Sequence, residues 1–331
     1  MWPFSLFKKH AQKPSSPDED TVQVPIGEFM KSREGHFTGA DHPLRPCPSS
    51  ISIPVGYPTP NGYTIIPDGM YPVIRVDGHC FHTFTRKLEK PFDDRMERAM
   101  QHATKELIKF FTACYGYTQS DEITVVLPKA SQDFGRKTHK LASIAASIAT
   151  GAFIESMEAE GVPMPKLPVF DGRAFAIPEA TEIGYYQVWR QRDSARNAIS
   201  AVARSKFSHK ALDGKNSDDK VEMLKGKGVD FWKDYSTAEI FGHYFKRRLS
   251  TRTFSPEEIA KLPEKHEARV GYETGHPVFF TRSDIVEIEC KVTMDTIPND
   301  VAMLLKKETP PEPQTELLTS PEEPGTYVSG N

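Results

Sequence analysis

Two short apolar runs, each with an acid at one end, constrain this chain more than any other feature. Residues 71–78 read YPVIRVDG, and residues 115–127 read YGYTQSDEITVVL. Asp77 therefore ends one candidate strand, while Asp121 and Glu122 open another. If the two strands are neighbours, their carboxylates meet at one sheet edge, and paired oxygen ligands of that kind suit Mg²⁺ carrying a nucleoside triphosphate. Taken alone, Asp-Gly is most often a turn and Ser-Asp-Glu a solvated loop or helix cap. The surrounding chain decides between these readings.

Around the two runs the periodicity changes in a regular order. Asp93 and Asp94 open a predicted helix to about Ala113, with Met96, Met100, Ala103, Leu107 and Phe111 as its apolar stripe. A hairpin over 115–128 follows, then a helix over 137–158 with Leu141, Ile144, Ile148 and Ala152 on one face. A strand over 168–177 stops at Pro178. The order β-α-β-β-α-β is a split βαβ arrangement and predicts an α+β, ferredoxin-like core. A long helix is expected from Glu179 to about Lys206, and a half-buried strand over 278–290.

Length and charge set the outer bounds. A chain of 331 residues accommodates one large domain with additions, and a net charge of −3 gives no global basic field. From Arg190 to Lys227, ten basic and five acidic residues leave a local +5, which suits either a mixed helix surface or RNA phosphates. The scattered cysteines, Cys47, Cys80, Cys114 and Cys290, suggest neither a zinc site nor a disulfide framework. With no apolar stretch near the bilayer-spanning length, a soluble, cytoplasmic protein is expected. The proline-rich segments 1–22 and 306–331 read as disordered. An opening helix is expected at 26–34, a proline- and glycine-rich loop at 40–69, and a boundary between a core over 23–178 and a helical, mixed region over 179–305.

Six blocks, in order, resemble the histidine tRNA guanylyltransferase family and its bacterial and archaeal 3′→5′ polymerase relatives. They are VIRVDGHCFHTF (73–84), EKPFD (89–93), YGYTQSDE (115–122), GRKTHKLASIAAS (135–147), FDGR (170–173) and the WRQ run opening a helix at Trp189. The resemblance implies a polymerase-palm core and a metal-dependent nucleotidyltransferase acting on the 5′ end of tRNA. Two Mg²⁺ ions, ATP and GTP or another NTP, and a homo-tetramer come with it. It implies Asp77, Asp121 and the Gly78 carbonyl as metal ligands, with Glu122 in support.

The same resemblance runs His79, Cys80, Phe81 and His82 along the nucleotide pocket, with Phe81 available to stack. Lys90 contacts triphosphate during activation, and Phe92 stands where the family has Asn. Asp93 binds nucleotide or caps its helix; Ser120 touches phosphate or caps a strand. Arg136 and Lys140, one turn apart, face triphosphate together. Arg173 reaches phosphate or pairs with an acid, and Arg192, Arg196 and Asn197 meet RNA. SARNAIS at 194–200 replaces the HINN signature of the eukaryotic enzymes, which points to template-dependent addition. The competing readings are a palm-type nucleotide cyclase and a catalytically silent RNA-binding relative.

Overall fold

The computed structural model describes residues 64–276 and 278–307. The expected disordered ends, the opening helix at 26–34, most of the 40–69 loop and Cys47 lie outside the described residues. Strand β1 (Tyr71–Gly78) leads through a one-turn helix (Phe81–Phe84) to α1 (Asp94–Phe111). Strands β2 (Tyr115–Gln119) and β3 (Glu122–Val126) form the hairpin, followed by α2 (Thr138–Ala159), β4 (Phe170–Ile177) and α3 (Ala180–Lys206). Beyond them lie α4 (Ser217–Lys225), β5 (His243–Thr253), β6 (Phe279–Ile288) and α5 (Ile297–Leu305).

The strands stand in the order β4-β1-β3-β2-β5-β6. All of the first four pair antiparallel, with Asp77 opposite Glu122 on one side and Asp171 on the other. This is the split βαβ palm core, extended past β2 by β5. Cross-strand partners share a face, so rows of side chains sort cleanly between the two layers of helices.

Helices α1 and α2 cover one face. Met100, Ala103, Leu107 and Phe111 are buried as their spacing predicts. The buried line of α2 is Leu141, Ala145, Ala149, Ala152 and Phe153, so the helix is turned slightly from the expected face, and Ile144 and Ile148 flank the core. Alanines on that line bring α2 close to the sheet. A Cβ on Gly172 of β4 would sit 2.6 Å from the Ala142 carbonyl oxygen, which only glycine avoids. Helix α3 covers the other face, where Tyr186 meets Thr124 at 3.3 Å and Gln187 donates to Tyr115 at 2.7 Å. Trp189 lies in mid-helix, not at its start, because the turn begins at Ala180 after the extended Glu179.

The C-terminal half of α3 builds a second apolar cluster, Ile199 and Val202 packing with Leu224, Phe231 and Ile240. The chain divides into two compact units, one reaching Arg247 and including 285–307, the other built on 248–284. The second unit, described by itself, has Phe254 against Phe280 at 4.3 Å, Arg252 over Phe280, and an Arg252–Glu258 pair at 2.8 Å. Among the described residues no helix is long and apolar enough to cross a membrane.

Candidate active site

Ser120 and Asp121 form the two-residue turn of the β2–β3 hairpin. Such turns need positive φ and favour Gly, Asn or Asp there. Ser120 nonetheless adopts φ 51°, so the turn holds local strain of the kind found at functional sites. The Gly78 N–H donates to the Asp121 carbonyl at 2.9 Å, which ties the turn to the end of β1 and brings Asp121 beside Asp77. Ser120 Oγ donates to Asp121 Oδ1 at 3.1 Å.

The two carboxylates are electrostatically exposed to one another. Burial, with the like charge of Asp77 behind it, pushes Asp121 up to about 6. Burial also raises Asp77, against Arg75, while Asp171 adds to the rise. Among the described residues neither carboxylate has an ion-pair partner within salt-bridge distance. Asp171, opposite Asp77 across β4, was missed by the sequence reading although its FDGR block was recognised; strand register is the signal that finds it.

Glu122, the next residue, has the opposite fate. It is buried and takes a bidentate ion pair from Arg190 of α3, with Nε at 2.7 Å, and Arg75 stands 4.0 Å away. Arg190 also holds Asp193 at 2.9 Å, and Asp193 in turn pairs with Arg196. Glu122 thus fastens α3 to the start of β3 and supports the turn without facing open space.

A cleft of about 480 Å³ opens beside the turn. Phe81, His82, Lys90, Asp93, Ser120, Asp121 and Asn197 border it, together with Gln119, His243 and Arg204, which the sequence reading did not single out. Asp77, Gly78, His79 and Cys80 do not line it. His79 and Cys80 are exposed, with Nε2 and Sγ 3.5 Å apart. Lys140 lies exposed on α2, and Arg173 stands 3.8 Å from Asp171 on β4. Arg192 and Arg196 are exposed on α3, outside the cleft.

Two expectations need correction, those on Phe81 and Arg136, and the open alternative at Asp93 is decided for the helix cap. Phe81 does not offer a stacking face: it is 2% exposed and packs against Phe84, Phe153 and Phe170 at 4.9–5.3 Å. A Cβ on Gly78 would strike that ring at 2.5 Å, so the glycine of DGHCFH makes room for the aromatic core. Asp93 caps α1, accepting from the Arg95 and Met96 amides and from Glu89 N at 2.9 Å, and it grips the Arg95 guanidinium at 2.6 Å. The Arg95 bond holds its carboxyl well below the ordinary range, and its oxygens are filled. Arg136 precedes α2 instead of lying on it, and its five N–H groups all reach backbone carbonyls, those of Ile66, Pro67, Met70, Lys129 and Ser131. It keeps no donor for a phosphate.

A family profile described as tRNAHis guanylyltransferase matches residues 62–178, from the approach to β1 through the end of β4. The tRNA(His) guanylyltransferase of Schizosaccharomyces pombe is 38% identical over 133 residues, 39% of this chain; the match spans only 51% of that protein. That of Neurospora crassa is 32% identical over 224 residues, 59% of this chain and 76% of the relative. A solved bacterial tRNA(His) guanylyltransferase-like protein in complex with ATP aligns with a TM-score of 0.51 at 33% identity, covering 55% of this chain and 80% of its own.

Proposed function

The chain belongs to the tRNA(His) guanylyltransferase family, and from that membership we propose that it adds nucleotides to the 5′ end of a tRNA. Nucleoside triphosphates are the co-substrates. ATP transfers its AMP to the RNA 5′ phosphate with release of pyrophosphate, and the 3′-hydroxyl of the incoming nucleotide then attacks that phosphate and displaces AMP. The observation that carries this reading is the strained Ser120–Asp121 turn, tied to Gly78 beside Asp77 and bordering a cleft that also holds Lys90.

Mg²⁺ fits the donor set. Asp77, Asp121 and the Gly78 carbonyl are hard oxygen ligands; burial raises both carboxyls and the charge of Asp77 raises Asp121 further, a cost that a divalent cation relieves. Bound there, Mg²⁺ supplies neutralisation of phosphate charge. The chain's own groups do the rest. Lys90 reaches the cleft with its Nζ on the Thr85 carbonyl at 2.8 Å, leaving two N–H bonds for phosphate. Ser120 and His82 border the same end of the cleft, where hydroxyl and imidazole orient phosphate oxygens. Asn197, on α3, offers an amide to nucleotide or RNA. Assembly as a homo-oligomer belongs to the same proposal.

The SARN sequence in place of HINN leaves Arg196 and Asn197 where a dedicated base reader would stand, so discrimination falls to base pairing. Addition opposite a templating base is therefore expected to exceed untemplated G addition. The deciding experiment incubates the protein with 5′-truncated tRNA, ATP, Mg²⁺ and each NTP in turn, varying the opposing base. A product one nucleotide longer, with the base set by the opposing position, is expected. No extension with any NTP sinks the activity; strong G addition opposite A sinks templating alone.

A further inference from the structure

The cleft-facing side of α3 is a row of small residues that ends in one large cation. Ser194, Asn197, Ala201 and Arg204 all border the cleft, at steps of three and four that place them on one helix face. Arg204 comes seven residues after Asn197, about 10 Å further along the axis. It is exposed, and its Nε donates to the Ser200 carbonyl at 3.1 Å. That bond fixes the stem and leaves both terminal nitrogens unused among the described residues.

Lys90, on the loop before α1, borders the same cleft as Arg204. Burial and then the charge of Arg204 lower the Lys90 pKa, as expected of two like charges that share a space. Among the carboxylates of the cleft, Asp93 offsets this lowering at Lys90 only in part. Asp93 is filled by Arg95 and the α1 cap. Glu97 binds His243 at 3.1 Å, and Glu239 caps its own helix through Ser236 N at 2.7 Å. Asp121 belongs to the hairpin turn, and Glu89, exposed, is the remaining acid. Two cations converging on an open cleft mark a place for an anion with several charges. A guanidinium fork spans two oxygens while an ammonium meets a third, which suits adjacent phosphates.

We propose that Arg204 is a further substrate-binding residue, which with Lys90 grips the polyphosphate of a nucleoside triphosphate or of a triphosphorylated RNA 5′ end. The inference deepens the nucleotidyltransferase reading and rests on it. Arg204 lies beyond the 62–178 family match and outside every sequence block described above.

The test measures binding of inorganic tripolyphosphate, ATP, and one short RNA carrying either a 5′-triphosphate or a 5′-monophosphate. Wild type, Arg204→Ala and Arg204→Lys are compared at fixed ionic strength, with unchanged circular dichroism and melting temperature as the folding control. Arg204→Ala is expected to weaken tripolyphosphate binding roughly ten- to a hundredfold, and Arg204→Lys to recover part of the loss. A parallel loss for ATP assigns the site to the nucleotide; a parallel loss for the triphosphorylated RNA assigns it to the RNA end. Unchanged tripolyphosphate binding, or an equal loss for monophosphorylated RNA, overturns the proposal. An active wild type whose Arg204→Ala variant binds tripolyphosphate undiminished sinks this site and spares the activity. An inactive wild type that still binds tripolyphosphate through Arg204 does the reverse.

Discussion

The loop before α2 and the cleft beside the β2–β3 turn use charge in opposite ways. In the loop, Phe134, Gly135 and Arg136 all take left-handed backbone angles, and the buried Arg136 guanidinium holds the strained segment by bonding five carbonyls. At the turn, Asp121 lies beside Asp77 with no ion-pair partner for either among the described residues, and in the cleft the charge of Arg204 bears on Lys90 with only partial offset from Asp93. A charged group with every bond filled serves the fold, because its removal leaves buried partners unsatisfied. A charged group left short of partners is costly to the fold and useful to a ligand. The sequence motifs contain both kinds and do not distinguish them.

The largest test strikes the carboxylates at the β2–β3 turn and the end of β1. Asp77→Ala and Asp121→Ala should each lose on the order of a thousand-fold in nucleotide addition while melting near wild type. Asp121→Asn should be equally inactive yet melt higher than wild type without metal, since the neutral amide removes the repulsion with Asp77. Normal turnover by either alanine variant would end the metal assignment.

Arg136→Ala should reverse that pattern. Stability in urea is expected to fall by roughly 3 kcal/mol as carbonyls lose their donor. Nucleotide affinity per folded molecule should hold, and a variant that unfolds normally but loses ATP binding would erase the contrast between the two regions. Lys90→Ala should then separate two substrates: extension of 5′-monophosphorylated RNA, which needs activation, should suffer about tenfold more than that of triphosphorylated RNA. Equal loss on both would place Lys90 with the fold or with both steps.

The smallest effect concerns His243, which borders the cleft but behaves like the loop. Burial opposes its charge, yet hydrogen bonds to Glu97 and to Glu287, the latter at 2.6 Å, win and raise its pKa. The other neighbours facing this group are Gln101, bonded to Glu97 at 3.1 Å, and the Phe245 ring. A raised histidine contributes stability fully present below its unfolded value near 6.5 and lost as pH rises through the folded value. Urea stability should therefore decline from pH 6 upward in wild type, and this decline should be shallower in His243→Gln. Identical slopes would show that the two ion pairs contribute nothing.

Much of the fold was legible because its cause is local. Short apolar runs bounded by acids, Gly or Pro specified β1, β3 and β4, and Asp93 followed by a three-four stripe specified α1. The slight rotation of α2 was not legible, since alanines fit either face and the choice rests on how closely the sheet approaches at Gly172. In the site, the adjacency of Asp77 and Asp121 followed from strand order. Asp171 did not, because register across β4 depends on the whole sheet.

The sequence by itself determined which residue types stand at the strand ends, and with them the family and the split βαβ order. Only tertiary structure decided which charges remain available. Arg136 and Asp93 look as reactive in the chain as Lys90, yet distant carbonyls engage the first, and Arg95 with the α1 cap the second. Arg204 carries no motif and gains its place from the length and direction of α3. The physical reason is that hydrogen-bond capacity is finite, and whether a donor is filled depends on neighbours that only the folded chain assembles.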